Sequence, residues 1–199
     1  MEIIVGTSDA LAQELMSELA RYRHRVFVER LGWELACEQG IELDQFDRHD
    51  TLYLAALRDD GELVGTARLL PTTQPYLLGE IFPELMGTLP APNSPFIWEL
   101  SRFAAVDLES ANAGSTHQFS SPITLALLHE ALSQAKLRGV RRLITVSPIG
   151  VERLLSRAGV HAYRAGPPML IGGHPLFACW IGVPEQSLHS TFGSSDAGT

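Results

Sequence analysis

The 199 residues include 45% hydrophobic and 19% charged side chains, with a mean hydropathy near zero, so the chain suits one globular domain with a substantial core and not a disordered or collagen-like one. The net charge of −8 and a pI near 5.3 argue against a nucleic-acid partner, because that binding rests on basic surface. Cys37 and Cys179 are too few for a disulfide framework and lack metal-knuckle spacing, so both are expected as free thiols in a reducing cytoplasm.

The opening MEIIVGTSDALAQ carries Glu2 and lacks the basic and apolar regions of a signal peptide; residues 2–5 read as a first strand, with Thr7 or Ser8 as a helix N-cap. Leu11, Leu15, Leu19, Tyr22 and Val26 recur at helical spacing and predict one long amphipathic helix to about residue 29. Residues 31–49 have no clean period and read as a long loop. TLYLAALR, DDG and ELVGTARLL predict a strand, a turn and a strand, with Asp60-Gly61 supplying the turn and Pro71 ending the hairpin. A short helix is expected around EIFPELM. FIWELSRFAAV (96–106) reads as a strand and 107–119 as a loop. SPITLALLHEALSQAKLRG reads as a helix with Ser121 as cap and Pro122 in its first turn.

RRLITVSP then predicts a buried strand, GVERLLSRAG a helix ended by Gly159, and MLIG and LFACWIG the last strands. The residues after Pro184 read as a loose tail, leaving 1–183 as a single domain. No run reaches the ~18 apolar residues of a membrane span, and no membrane partner is expected. A hairpin followed by alternating helices and strands predicts a mixed α/β sandwich with a partly antiparallel sheet.

Charge inside apolar strands is the feature that needs a reason. Simple alternation in FIWELSRFAAV places Ile97, Glu99, Ser101 and Phe103 on one face and Trp98, Leu100 and Arg102 on the other. Both faces are otherwise apolar, so Glu99 and Arg102 cost several kcal/mol each unless paired. Arg68 sits likewise inside VGTARLL. Upstream, ELDQFDRHD concentrates Glu42, Asp44 and Asp47 in a loop that could fold over the same sheet and clamp to Arg23, Arg68 and Arg102. Such a network serves the fold alone, or it frames a pocket under an acidic lid. The loop lacks the D-x-D-x-D-G order of a calcium site, and its basic neighbours Arg48 and His49 weaken a metal reading, so no metal is expected. The chain also lacks a G-x-S-x-G elbow, H-E-x-x-H, a P-loop and a G-x-G-x-x-G dinucleotide loop.

Seven basic residues and one acid, Glu152, lie between Lys136 and Arg164. On an acidic protein this is either an ordinary solvated face or a dock for an anionic partner.

RHRVFVERLGW, ELDQFD, GTARLLP, EIFP and WELSRF occur in this order. They supply Arg23, Phe27, Trp33, Glu42, Asp44, Asp47, Arg68, Phe82, Glu99 and Arg102. This ordered set resembles the acyl-homoserine lactone synthases, the autoinducer synthases of bacterial quorum sensing, and the similarity continues more weakly through LITVSPIGVERLLSRAG and AGPPMLIGG to about residue 183.

The resemblance implies an N-acetyltransferase-like three-layer sandwich, with a mixed, partly antiparallel central sheet flanked by helices. It implies an acyltransferase that joins an acyl group from acyl carrier protein (in some members, coenzyme A) to the α-amine of S-adenosylmethionine. Lactone closure then releases methylthioadenosine. S-adenosylmethionine is a co-substrate, and no cofactor is expected.

Glu99 is the candidate general base, with Asp44 as a second carboxylate or a lid anchor on Arg68. Arg102 is expected to pair with Asp47 or to face the substrate carboxylate. Phe27 and Trp33 offer aromatic faces to a sulfonium and adenine, with Trp33 closing over the site. Arg23, Arg68 and Phe82 complete the substrate-binding set. Backbone N–H groups near Ser101 and Phe103 could hold the thioester oxyanion if the strand splays or bulges there. Thr145 matches a position bearing on 3-oxo tolerance, and Lys136, Arg138, Arg141 and Arg142 offer an acidic carrier protein a dock beside the pantetheine entrance. Residues 107–119 lack the Q/R-x-x-G-x-G/A pyrophosphate loop of acetyltransferases, with only ANAGS there, which favours a protein-bound donor. The alternatives are an N-acyltransferase that forms no lactone, and a noncatalytic carrier-protein or small-molecule binding module.

Overall fold

A computed structural model describes residues 1–108 and 122–184. Its strands are β1 (Glu2–Thr7), β2 (Leu52–Leu57), β3 (Leu63–Pro71), β4 (Ile97–Ala105), β5 (Arg142–Pro148), β6 (Ala162–Arg164), β7 (Met169–Ile171) and β8 (His174–Gly182). They form one sheet in the order β1-β2-β3-β4-β5-β8-β6, with β7 also on β8. β4 and β5 pair in parallel, and the other neighbours are antiparallel. β6 was not separable in the sequence, because three residues give alternation too little length to register.

Helices cover both faces. α1 (Gln13–Arg23) runs into a π-helical turn, His24–Arg30. Leu19, Tyr22, Val26 and Phe27 of this segment bury against Tyr53, Ala55 and Ala104. α3 (Pro122–Leu137) and α4 (Val151–Arg157) lie on the opposite face, where Leu127, Leu128, Ala131 and Leu155 meet Leu54, Ala67, Leu69 and Leu100. A third cluster joins Phe46, Leu70, Ile144 and Ala178 to α2 (Leu77–Ile81) and the 3-10 turn Pro83–Met86. The three-layer sandwich is therefore present.

Two local expectations differ. The first helix begins at Gln13 after Ala12, with no side-chain cap. Thr7 instead ends β1, and its carbonyl accepts the N–H groups of Ala10 and Leu11 in a turn. The helix around EIFPELM is split in two, and its first half starts earlier, at Leu77. Gly159, at φ +73, ends α4 as expected, with the Val160 N–H returning to the Leu155 carbonyl. Ser121 and the 107–119 loop fall mainly on residues 109–121, outside the described residues, as does the tail from 185. Among the described residues no helix is long and apolar enough to cross a membrane.

Candidate active site

Strand β4 does not alternate as its sequence implies. Thr66 pairs with Ala104 but Arg68 pairs with Ser101, so two residues of β4, Arg102 and Phe103, answer one of β3, Ala67. This is a β-bulge, and Arg102 takes the strain with φ +50. The extra residue brings Arg102 to the α1 side with Glu99 and Ser101 and sends Phe103 to the α3 side, correcting the predicted face assignment.

The acidic loop is wound by its own carboxylates. Asp44 accepts the Phe46 N–H at 2.9 Å, and Asp47 accepts the Asp44 N–H at 2.8 Å. Phe46 then plugs into the third core cluster beneath Arg68, whose guanidinium lies 5.9 Å from the ring. Arg68 donates to both oxygens of Asp44 (2.6 and 3.0 Å) and from Nε to Ser101 (3.0 Å). Arg23 donates to Glu42 at 2.5 Å and to both oxygens of Asp47 at 2.7 and 3.0 Å. Arg102 reaches Glu42 at 2.8 Å and Asp44 at 2.8 Å, while Tyr53 donates to Asp47 at 2.9 Å. The expected Arg102–Asp47 pair is therefore not made; Asp47 belongs to Arg23 and Arg68.

Three guanidinium groups and three carboxylates interlock, so the buried charge sums to zero. Burial alone would raise the Glu42 pKa, but the hydrogen bonds and charges of Arg102 and Arg23 hold it below the usual range. Asp47 is likewise depressed against its desolvation, by Arg23 first.

Above this network the sheet opens. β4 and β5 pair only from Ile97↔Arg142 to Glu99↔Ile144, then diverge. A chamber occupies the gap. On the α1 side it is walled by Phe27, Trp33, Ser101 and Arg102; on the α3 side by Leu128, Thr145, Ser147 and Leu155 among others. Trp33 stacks on Phe27 with centroids 5.0 Å apart, and Arg102 sits 5.6 Å from the Phe27 ring. One compartment is therefore aromatic and charged, the other apolar, and the bulge at Arg102 lies at their junction.

Glu99 is placed differently from the other candidates. It is fully buried, and its carboxylate accepts the N–H groups of Leu77 and Leu78 at 3.0 and 2.7 Å, capping α2. Desolvation outweighs these two bonds and raises its pKa to about 7. It does not line the chamber, though Ser101, two residues on along β4, does.

Residues 8–190 match the family model described as autoinducer synthase. The chain belongs to the autoinducer synthase family. It is 54% identical over 183 residues to an acyl-homoserine-lactone synthase of Acinetobacter nosocomialis, covering 92% of this chain and all of the relative. The crystal structure of TofI in a ternary complex with an inhibitor and MTA superposes with TM-score 0.80 at 44% identity, covering 94% of this chain and 95% of TofI. BjaI, a CoA-dependent acyl-homoserine lactone synthase solved with SAM and isopentyl-CoA, reaches TM-score 0.80 at 27% identity over 92% of this chain and 83% of its own. A putative N-acetyltransferase from Lactobacillus plantarum shares the fold alone, with TM-score 0.60 at 16% identity over 92% of this chain and 98% of its own. The protein is thus an acyltransferase-type enzyme, an acyl-homoserine lactone synthase.

In this synthase Phe27, Trp33, Ser101, Arg102, Phe103 and Thr145 meet at the chamber, and Arg23, Arg68, Glu42, Asp44 and Asp47 form the frame beside it. Phe82 ends α2 and packs on the third cluster, outside the chamber wall. Arg138, Arg141 and Arg142 are exposed and Lys136 is partly exposed, at the end of α3 and the start of β5. That is the opposite end of β5 from Ser147 and Pro148 in the chamber wall, a span of about 20 Å at ~3.3 Å per residue. Arg141 stacks over Phe96 at 4.6 Å.

Sequence reasoning missed Phe46, Tyr53, Ser147 and the contribution of α4 through Val151, Leu154 and Leu155. Phe46 carried a signal, being the single aromatic amid acids in ELDQFD; the α4 residues look like any helical core stripe.

Proposed function

We propose that this synthase takes its acyl group from a carrier-protein thioester and joins it to the α-amine of S-adenosylmethionine, with no cofactor. The observation that carries this reading is the gap between β4 and β5, which connects an aromatic, charged compartment to an apolar one. A sulfonium substrate suits Phe27 and Trp33 on the first side, and an acyl chain suits Leu128 and Leu155 on the second. Past Glu99 the β5-facing edge of β4 has left its ladder, and the bulge that follows Ser101 turns backbone there toward the gap, where an N–H can receive a carbonyl oxygen that becomes negative as the amine attacks.

The ammonium of S-adenosylmethionine must lose a proton before it attacks the thioester carbon. Glu99, with a pKa of about 7, is matched to that task at neutral pH and acts through water from behind Ser101. Nitrogen–carbon bond formation gives a tetrahedral adduct, and its collapse expels the carrier thiol. Arg102 spends Nε and Nη2 on the acidic loop, and its remaining Nη1 orients the methionine carboxylate. That carboxylate then attacks its own γ-carbon and displaces methylthioadenosine, a step that needs chiefly proximity. Asp44, held by two arginines, anchors the loop that closes this compartment.

BjaI is CoA-dependent, so membership in the family leaves the donor open. The missing pyrophosphate loop in the sequence of 107–119 and the arginine-rich end of α3 favour a carrier protein. Incubation with S-adenosylmethionine and matched acyl-carrier-protein and acyl-coenzyme A thioesters, read by mass spectrometry, tests this. Lactone and methylthioadenosine should form at higher kcat/KM from the carrier protein; a preference for coenzyme A overturns the donor assignment. An acylated amine formed without methylthioadenosine would mean a simple N-acyltransferase.

A further inference from the structure

The carboxylate of Glu99 rests on a helix too short to hold itself. α2 has five residues, little more than one turn, and its Leu77 and Leu78 N–H groups are the ones that meet Glu99. Packing fixes its far end. A Cβ on Gly166 would lie 2.4 Å from the Leu85 carbonyl oxygen, so the chain at Gly166 closes directly on the 3-10 turn that follows α2. The near end is fixed from the acidic loop. Arg48 Nη1 donates to the Pro75 carbonyl at 2.6 Å, just ahead of Tyr76 and Leu77.

Arg48 is itself held in one orientation. Its Nε and Nη2 donate to the two oxygens of Asp50, at 2.9 and 3.4 Å, which leaves Nη1 for Pro75. Thr51 fixes the turn beneath: its hydroxyl accepts the Arg48 N–H at 3.1 Å and donates to the Phe46 carbonyl at 2.7 Å. Phe46 in turn shares the third core cluster with Tyr76 and Leu78. The same loop carries Asp44, locked to Arg68 and Arg102 in the frame of the substrate compartment. One short segment therefore touches both the compartment and the helix that faces Glu99. The charged and titratable groups that face Glu99 itself are Arg68 of β3, Arg102 of β4 and Tyr76 at the head of α2. Arg48 reaches it through the backbone from Pro75 to Leu78.

We propose that Arg48 is a positioning residue for acyl transfer: through the Pro75 carbonyl it seats the Leu77 and Leu78 N–H groups against Glu99. This rests on the function proposed above, in which Glu99 takes the proton of the α-amine, and it names what holds that base in place. Without Arg48 the chain at Pro75 and Tyr76 loses its anchor, and the two N–H groups withdraw from the carboxylate. Hydrogen bonds to a carboxylate favour its charged form, so Glu99 then keeps its proton to higher pH.

Arg48→Met tests this, because a side chain that is 22% exposed leaves no cavity in the core. The pH dependence of kcat is measured with S-adenosylmethionine and an acyl-carrier-protein thioester. Its limb near pH 7 should move up by about one pH unit, the effect of weakening one hydrogen bond to a charged group. At pH 7 kcat should therefore fall by about fivefold, and at pH 9 hardly at all. The ratio of the two rates in one preparation does not depend on how much protein is folded, and a merely structural lesion lowers both alike. The shift should persist in about 0.5 M salt, where the direct field of a partly exposed arginine is screened. In parallel, the Glu99 carboxyl carbon is titrated by NMR, its signal identified by its absence from Glu99→Gln. An unchanged Glu99 midpoint in Arg48→Met, or a shift that vanishes in salt, overturns the inference. A midpoint that rises while the kcat limb stays in place upholds the link from Arg48 to Glu99 and overturns Glu99 as the base. The NMR titration needs no turnover, so it decides the role of Arg48 even if no donor yields lactone.

Discussion

Asp44 is gripped by Arg68 through both of its carboxylate oxygens, at 2.6 and 3.0 Å, so a loop residue is locked to the middle of a buried strand. Arg68 is itself fully buried and carries part of Asp47 as well. Removing one member leaves charge without its partner in a low-dielectric interior, which costs about 3–5 kcal/mol. Arg68→Ala is expected to lower the unfolding free energy by that amount in urea titrations. Arg68→Ala with Asp44→Ala should cost less than the sum of the two. Additive losses would mean that the pair is not coupled.

Arg102 poses a different question, because its backbone is strained while its side chain is bound. A non-glycine residue at φ +50 costs about 1–2 kcal/mol. Arg102→Ala loses the guanidinium and keeps the strain; Arg102→Gly loses both. The glycine variant is therefore expected to be the more stable of the two by roughly 1 kcal/mol, with lactone formation abolished in each. Calorimetry and a product assay separate the two effects, and equal melting temperatures would show that the bulge is not strained.

These two residues also mark what the sequence could reveal. Arg68 inside VGTARLL and Arg102 inside WELSRF announce themselves, because an unpaired buried guanidinium is intolerable and three acids stand waiting in ELDQFD. The pairing scheme was not legible. Alternation assumes a regular strand, and one extra residue in β4 moves Arg102 to the other face, changing its partner from Asp47 to Glu42 and Asp44. The position of Glu99 was equally hidden, since α2 reaches it from more than twenty residues away and offers only two backbone N–H groups. The chamber depends on where two parallel strands stop pairing, and no local pattern in either strand encodes that.

Docking can be tested by charge reversal. Arg138 and Arg142 are exposed at the end of α3 and the start of β5, on a protein whose net charge is −8. If an acidic carrier protein lands there, Arg138→Glu with Arg142→Glu should raise KM for the carrier thioester by about tenfold at low salt. It should have less effect at high salt and leave an acyl-pantetheine thioester unaffected. Arg153 and Arg157 lie on α4, which also lines the chamber. Should only their reversal raise KM, the carrier protein docks at α4 instead.

Glu99 gives the sharpest pH dependence. Its folded pKa of about 7 lies above the ordinary 4.5, so the native state binds a proton that the unfolded chain has released. Its contribution is fully present below about 4.5 and is lost as pH rises through 7; across that range stability should fall by roughly 3 kcal/mol, at about 1.4 kcal/mol per pKa unit. Glu42 runs the other way, since its pKa is depressed and its contribution is lost as pH falls. Glu99→Gln removes the ionisation, so its unfolding free energy should lose the decline between pH 5.5 and 8.5, even if its starting value is lower because one amide face opposes the Leu77 and Leu78 N–H groups. In kinetics the wild-type kcat should rise with pH through about 7 as the base ionises, and Glu99→Gln should lose both most activity and this limb. A Gln variant that keeps the limb would assign the base to another group. A variant that loses activity while its stability still declines above pH 7 would show that the titrating carboxylate lies elsewhere.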